Sequence, residues 1–425
     1  MDLRSIYPKL KTAQSVEIAS VPVDIHTLPE PLFLNDALGI VSARALKGFV
    51  MHRADIALFE ARGMVTPRGD YLVMFPAGFH YGDKRSQMKL KTNNMLCYRS
   101  SDRGKTWAGP STVFNIDYNQ HGFIPLVPRG QERIYCFGTQ PVWKEYSQND
   151  GKHENAPIGY FYSDDDGYTW EGPVLIRPEN DPGFLGMSVT RMCETDAGTW
   201  LLGSHEGDWS TNPLTTTQYI LRSEDQGKTW TVLPGKRPNG WNVPEFKRMD
   251  EGRALNLGGG NILFMIRTPE GHLWLCRSGD DGKTWSTPKP APLIHPDAPP
   301  MIELLSDKKT IVCLFHNRHR DIDYTGLDSG KDISMKDRAE VWAALSEDGG
   351  ETWSEPRFLF CNALEPNLEN PWRNYQCSYL DMFPDGGVLN ILVPHRWQQV
   401  LYLRIAEKEL YSLPVRADLL KAAEI

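Results

Sequence analysis

The chain has 425 residues, a formal net charge of −8 and no low-complexity tract; 40% of its residues are hydrophobic and 24% charged. That length would allow two or three ordinary domains, and the acidic balance argues against nucleic acid as a partner while leaving room for a local cationic site for a small anion. No apolar run is long enough to span a membrane, and Met1 to Pro8 lacks the apolar core of a signal peptide. The seven cysteines form no C-x-x-C pair, and Cys97, Cys136, Cys276 and Cys313 sit in apolar, strand-like runs. They read as buried thiols, which favours a reducing, cytoplasmic setting while a secreted one stays open.

Taken in order, residues 1–50 form a lead-in. In it Ser15-Val16-Glu17-Ile18-Ala19-Ser20-Val21-Pro22 alternates like a strand and is expected to complete the last unit of the fold. From there one pattern recurs. A short strand, a turn, a second strand, a polar loop and a third strand lead into Ser100-Ser101-Asp102-Arg103-Gly104-Lys105-Thr106-Trp107. The same S-x-D-x-G-x-T-W motif returns around Asp165, Asp225, Asp280 and Asp348, at spacings of 63, 60, 55 and 68 residues. Each copy has the chemistry of a tight turn: the carboxylate accepts backbone N–H groups, Gly takes a positive φ, and an indole follows that can pack between repeats. The repeats divide the chain into units at residues 52–114, 120–176, 187–234, 250–290 and 299–360. A sixth unit without the motif starts at Tyr379 and turns at Pro384-Asp385-Gly386-Gly387. Residues 411–425 have helical spacing and read as a surface tail.

These motifs are similar to Asp boxes, also called BNR repeats, and the chain resembles the sialidase superfamily. The resemblance implies an all-β, six-bladed β-propeller over residues 51–410, with five Asp-box turns. Asp boxes also occur in propellers that are not enzymes, so they speak for the fold and leave function to other residues.

In such a propeller, the starts of the inner strands and the ends of the second strands face the central mouth. Those positions here hold Arg62, Gln120, His121, Ser188, Glu251 and Tyr379, and His80, Trp143, His205, Glu206, Arg267, His316, Arg318, His395 and Arg396. Such a concentration of ionisable groups marks a small-molecule site. Glu251-Gly252-Arg253 followed by Ile266-Arg267-Thr268 resembles the sialidase segment in which a Glu opens the inner strand and an Arg ends the second. Cys377-Ser378-Tyr379-Leu380-Asp381 resembles the strand that bears the tyrosine.

The resemblance then implies Tyr379 as nucleophile, with Tyr375 as the alternative, and Glu251 as its partner. Asp83 would be the acid, and Arg62, Arg267 and Arg318 (or Arg320) would grip a carboxylate. His80, His121, His205, Glu206, His395 and Arg396 would line the site. A neutral phenol suits an anionic sugar, which repels a carboxylate nucleophile, and guanidinium forks suit its carboxylate. The family's Arg-Ile-Pro at the opening of blade one is absent; Glu60-Ala61-Arg62-Gly63 stands nearest to it.

The expected function is an exo-acting glycoside hydrolase on an acidic sugar, sialic acid first. A polysaccharide lyase acting on uronates through His80, His121, His205 or His395 is an alternative class, and a non-catalytic glycan-binding propeller is another. No metal or other cofactor is expected: the histidines lack ligand spacing, and Gly258-Gly259-Gly260 lacks the helix that a phosphate loop needs.

Overall fold

A computed structural model describes residues 15–53, 57–58, 60–78, 92–117, 122–139, 155–208, 210–211, 214–243, 245, 247–318, 337–364 and 376–423. Six antiparallel sheets stand around one axis as the blades of a propeller. Their inner strands are Arg62–Val65, Gly122–Leu126, Ser188–Val189 continued by Cys193–Glu194, Asp250–Gly258, Met301–Leu304 and Asp381–Asp385. These strands neighbour one another in sequence order, and the last returns to the first. The second strands are the most apolar. Ile262 to Ile266 in blade four are all fully buried, because both faces of the strand are covered by neighbouring blades. The outermost strand of the same blade, Lys289–Ile294, buries only alternate residues, as expected where one face meets water.

The ring is closed by the lead-in, though through a different segment from the one the sequence suggested. Lys47–Arg53 pairs with Gln399–Ala406 and becomes the outer strand of blade six. Ser15–Ile18 instead forms a hairpin with Val21–Asp24. Between them, Leu32–Asn35 and Ile40–Ala43 extend blade five to six strands. The apolar alternation of residues 15–22 was real, but its buried face serves the hairpin: Val16 and Ile18 enter the core shared with blade five. After blade six the chain ends in a helix, Arg416–Ala423.

All five Asp boxes share the same bonds to the carboxylate, and in the first four the indole also closes onto the box glycine. In the first, the Asp102 carboxylate accepts the Ser100 hydroxyl at 2.8 Å, the Thr106 N–H at 2.8 Å and the Thr106 hydroxyl at 2.6 Å. The Trp107 indole donates to the Gly104 carbonyl, so Thr and Trp finish the turn and the outer strand starts after them, at Ala108. In four of the five boxes the glycine also lies against the preceding blade. A Cβ on Gly104 would fall 2.1 Å from the Tyr402 hydroxyl of blade six, and one on Gly282 would fall 2.7 Å from Leu201 of blade three. Two boxes reach further: Asp166 accepts the Thr66 hydroxyl and Arg99, and Asp281 accepts the Thr199 hydroxyl. Boxes are thus clamps between blades as well as turns. Aromatic side chains fill the seams, as where Trp200 meets Tyr135 edge-on at 5.2 Å, contacts worth about 0.5–1.5 kcal/mol each beyond the area they bury. All seven cysteines are buried and unpaired, and no helix among the described residues is long and apolar enough to cross a membrane.

The boxes predict an acid-sensitive fold. Hydrogen bonds from the hydroxyl and N–H of Thr284 hold the Asp280 carboxyl down to about 2. A carboxyl depressed by folding contributes fully above its unfolded value, 3.8, and the contribution is lost as the pH falls through the folded value. Thermal unfolding followed by circular dichroism is expected to weaken between about pH 4 and pH 2. Asp280→Asn, which keeps the shape without the charge, is expected to lose less over that window than the wild type; equal losses would remove the box carboxylate from the account.

Candidate functional site

At one end of the axis the backbone departs from ordinary strand geometry. Glu60, Phe123, Glu251 and Tyr379, each just before or at the start of an inner strand, have φ of 53°, 56°, 47° and 60°. Asn317, Arg396 and Trp397, just beyond the second strands of blades five and six, are also left-handed. For side chains of this size such a conformation costs about 1–3 kcal/mol each and persists only where the surroundings impose it. Observed strain of this kind, gathered at one mouth, marks the candidate site.

Tyr379 comes from blade six and Glu251 from blade four. The phenol donates to Glu251 Oε1 at 2.9 Å. Arg267, which ends the second strand of blade four, donates from Nη1 to Glu251 Oε2 at 2.5 Å and lies 3.2 Å from the phenol oxygen. One carboxylate oxygen of Glu251 is therefore fixed by a cation, and the other is turned to the tyrosine. Burial, then the Glu251 charge, pushes the Tyr379 phenol well above its ordinary range, while Arg267 and Arg338 oppose that rise. The arrangement favours a protonated phenol with a proton acceptor already aligned to it.

A second layer holds Arg267. Its Nε donates to Asp297 Oδ1 at 2.6 Å and lies 3.3 Å from Asp250 Oδ1. Arg248 bridges the same two carboxylates at 3.1 Å each. Burial would raise the Asp297 carboxyl, but Arg248 and Arg267 hold it well below the usual carboxylate range. Arg338, which precedes the third strand of blade five, donates to the Asp297 carbonyl, to Gln376 and to Ser378, and its guanidinium lies 5.9 Å from the Tyr379 ring. Among the described residues, no carboxylate side chain lies within ion-pair distance of Arg338. Burial and the neighbouring Arg267 lower its pKa.

The residues expected from sequence divide in three. Tyr379, Glu251 and Arg267 come together directly. Arg62 joins them from below: its guanidinium donates to the carbonyls of Tyr379 and Leu380 at 3.2 Å each and lies 3.6 Å from Glu60. His205 sits behind Glu251, with Nδ1 3.4 Å from the Glu251 N–H and 3.2 Å from the Ser188 hydroxyl. The backbone of Arg396 bonds to Gln376, and the Trp397 ring meets Tyr379 edge-on at 6.1 Å.

Others are engaged elsewhere. Arg318 is held by Glu340 at 3.1 Å and Glu17 at 2.7 Å, so it ties the N-terminal hairpin to blade five and is not part of a grip beside Tyr379. His395 is locked between Asn362 and Gln399, and burial brings its pKa to about 3. Glu206 faces Arg237 at 3.6 Å, and burial raises its carboxyl. Asp83, His80, His121, Tyr375 and Arg320 lie outside the described residues.

Sequence reasoning missed Glu60 as a site carboxylate, and Arg248, Asp250, Asp297 and Arg338. Arg338 could have been found: it lies ten residues before the box aspartate Asp348, where a third strand begins, a position that a search of inner-strand starts and second-strand ends passes over. Asp297 belongs to Ile294-His295-Pro296-Asp297-Ala298-Pro299-Pro300, which carries no signal beyond that of a linker.

Below the pair, Asp381 collects the axis. It accepts the Gly63 N–H at 3.0 Å, pairs with Arg191 and lies 3.4 Å from Arg253, which continues to Glu303 at 2.9 Å. A cavity of about 590 Å³ opens beyond Arg191 and Arg253 at the turn face, the end remote from Tyr379.

The BNR repeat-like domain family matches residues 137–391. A sialidase of Bacteroides fragilis is 23% identical over 389 residues, covering 84% of this chain and 64% of that protein. A xyloglucanase of a Paenibacillus species is 24% identical over 205 residues, covering 47% of this chain and 19% of that protein. The chain thus spans less than two thirds of either relative. The solved structure of a Hadza microbial sialidase superposes with a TM-score of 0.60 at 16% identity, covering 86% of this chain and 69% of that one.

Arg267 is the residue whose loss the site can least absorb. Arg267→Ala leaves Glu251 and Asp297 short of their buried counter-charge and is expected to lower stability by about 3–5 kcal/mol in chemical denaturation. A change under about 1 kcal/mol would mean that water replaces the guanidinium at no cost.

Proposed function

Because the chain belongs to the BNR repeat-like domain family and is similar to sialidases, we propose that it is an exo-acting glycoside hydrolase that removes a terminal acidic sugar, sialic acid first. The observation that carries this reading is the 2.9 Å hydrogen bond from Tyr379 to Glu251, set among guanidinium groups. In the proposed reaction the Tyr379 oxygen attacks the anomeric carbon as its proton passes to Glu251. The bond to the leaving group breaks, and an acid protonates the departing oxygen. Asp83, between the second and third strands of blade one, is proposed for that acid. Water then attacks the anomeric carbon, giving a proton back to the carboxylate that served as acid, and the glycosyl–tyrosine bond breaks as the phenol recovers its proton from Glu251. A phenol kept neutral by burial lets an anionic sugar approach without the repulsion a carboxylate nucleophile would impose.

The anionic group is assigned to Arg338, with Arg267 beside it. Arg338 is the guanidinium at the site that faces no carboxylate side chain among the described residues, and a desolvated cation of that kind favours an anion. Arg62 and Arg267 already face protein acceptors, so their task in this reading is to place Tyr379 and Glu251. The lyase alternative draws no support from the described histidines, since His205 and His395 are both tied into hydrogen bonds.

Hydrolysis of a fluorogenic sialoside by the purified protein tests the proposal. The wild type is expected to turn it over, Tyr379→Phe to abolish turnover, and Glu251→Gln to lower kcat by about 10²–10⁴-fold. Activity that survives Tyr379→Phe would refute the nucleophile, and a wild type inert on this and other acidic glycosides would refute the substrate class.

A further inference from the structure

Glu60, Glu251 and Tyr379 hold the same station on blades one, four and six. Each has the left-handed backbone found at the mouth, and they are 2%, 6% and 7% exposed. Glu60 is therefore as enclosed as the pair itself. The guanidinium of Arg62 links it to the tyrosine, lying 3.6 Å from Glu60 Oε2 while donating to the Tyr379 carbonyl. The charge of Glu60 also reaches the phenol and helps keep it protonated, alongside Glu251 and against Arg267 and Arg338.

Among the described residues, the ionic groups around Tyr379 are Arg62, Arg248, Arg267 and Arg338 against Glu60, Asp250, Glu251 and Asp297. Of the four cations, all but Arg338 have a carboxylate within 4.0 Å. These charges balance, and the cation left without a carboxylate neighbour, Arg338, is where an anionic group would be received, on the blade-five side. On the blade-one side it presents a carboxylate. An anion brought within about 4 Å of that carboxylate would lose about a thousandfold in affinity, taking an effective dielectric of about 20. A hydroxyl or ammonium would instead gain a charge-assisted hydrogen bond.

We infer that Glu60 faces the substrate and selects a sugar that presents a hydrogen-bond donor, a hydroxyl or an ammonium, toward blade one, with its single anionic group on the opposite side at Arg338. The inference rests on the glycosidase reading above and narrows its substrate class. A sugar whose carboxylate must lie against blade one is rejected, and one whose carboxylate lies against blade five is accepted.

Isothermal titration of the full chain with free sugars tests this. The probes are the methyl α-glycoside of N-acetylneuraminic acid, a hexuronic acid, and the deoxy analogues of whichever of them binds. Glu60→Gln is expected to lose at least about tenfold in affinity for the sugar that binds the wild type, and to become indifferent to removal of one particular hydroxyl that the wild type requires. Glu60→Arg is expected to gain at least about tenfold for carboxylates that the wild type rejects. If Glu60→Gln does not fold, Glu60→Asp decides, because it keeps the charge and draws the donor contact back by one methylene. It is expected to keep the rejection of anions and lose the requirement for the hydroxyl; unchanged selectivity in Glu60→Asp overturns the inference. Turnover of a sialoside by the wild type, with every Glu60 variant binding all probes within twofold of it, overturns this inference and leaves the glycosidase reading standing. A wild type that binds none of the probes and turns over no glycoside overturns both.

Discussion

The guanidinium of Arg267 is the point on which the mouth of the propeller depends. It touches Glu251 on its own blade, Asp297 on the way into blade five, and the phenol of Tyr379 from blade six. These groups are separated by up to 128 residues in the chain, and no local interaction would bring them together. Removing so many charges from water is costly, and the cost is offset because each charge meets an opposite one at hydrogen-bond distance. The left-handed residues around the mouth fit the same picture: the backbone is bent where side chains from different blades must converge.

Rigidity beneath the site comes from the axis. Arg62 holds the backbone of Tyr379, and Asp381, two residues later, is tied to blades one, three and four through Gly63, Arg191 and Arg253. The strand that follows Tyr379 is thus pinned from three sides. Far outside, Asp boxes hold blades against the ones before them. The two systems act at opposite radii, one setting the ring and the other setting its centre. A third is the hairpin at the N-terminus, where Arg318 joins Glu17 to Glu340 and seals blade five.

Much of this was legible in the sequence because it is local. The five boxes carry their turn chemistry within eight residues, so the blade count and the strand grammar could be read directly. Tyr379, Glu251 and Arg267 could be singled out because each stands at a strand end in a segment that resembles its sialidase counterpart. What escaped was non-local or irregular. The closing strand, Lys47–Arg53, competes in sequence with the equally strand-like Ser15 to Pro22, and only pairing with Gln399–Ala406 decides between them. Arg318 looked like a site residue because it ends a strand, yet Glu17, 301 residues away in sequence, claims its guanidinium. Asp297 and Arg338 are ordinary polar residues until the ring closes and sets them beside Arg267 and Tyr379.

The measurement that tests the central claim most directly is peptide-level mass spectrometry of the protein after incubation with an activated, fluorinated sialosyl donor that forms a covalent glycosyl–enzyme and releases it slowly. A Tyr379 nucleophile, with its proton taken by Glu251, predicts a glycosyl adduct on the peptide that contains Tyr379 and none in Tyr379→Phe. An adduct on a carboxylate such as Glu60 or Glu251, with Tyr379 unmodified, would contradict it.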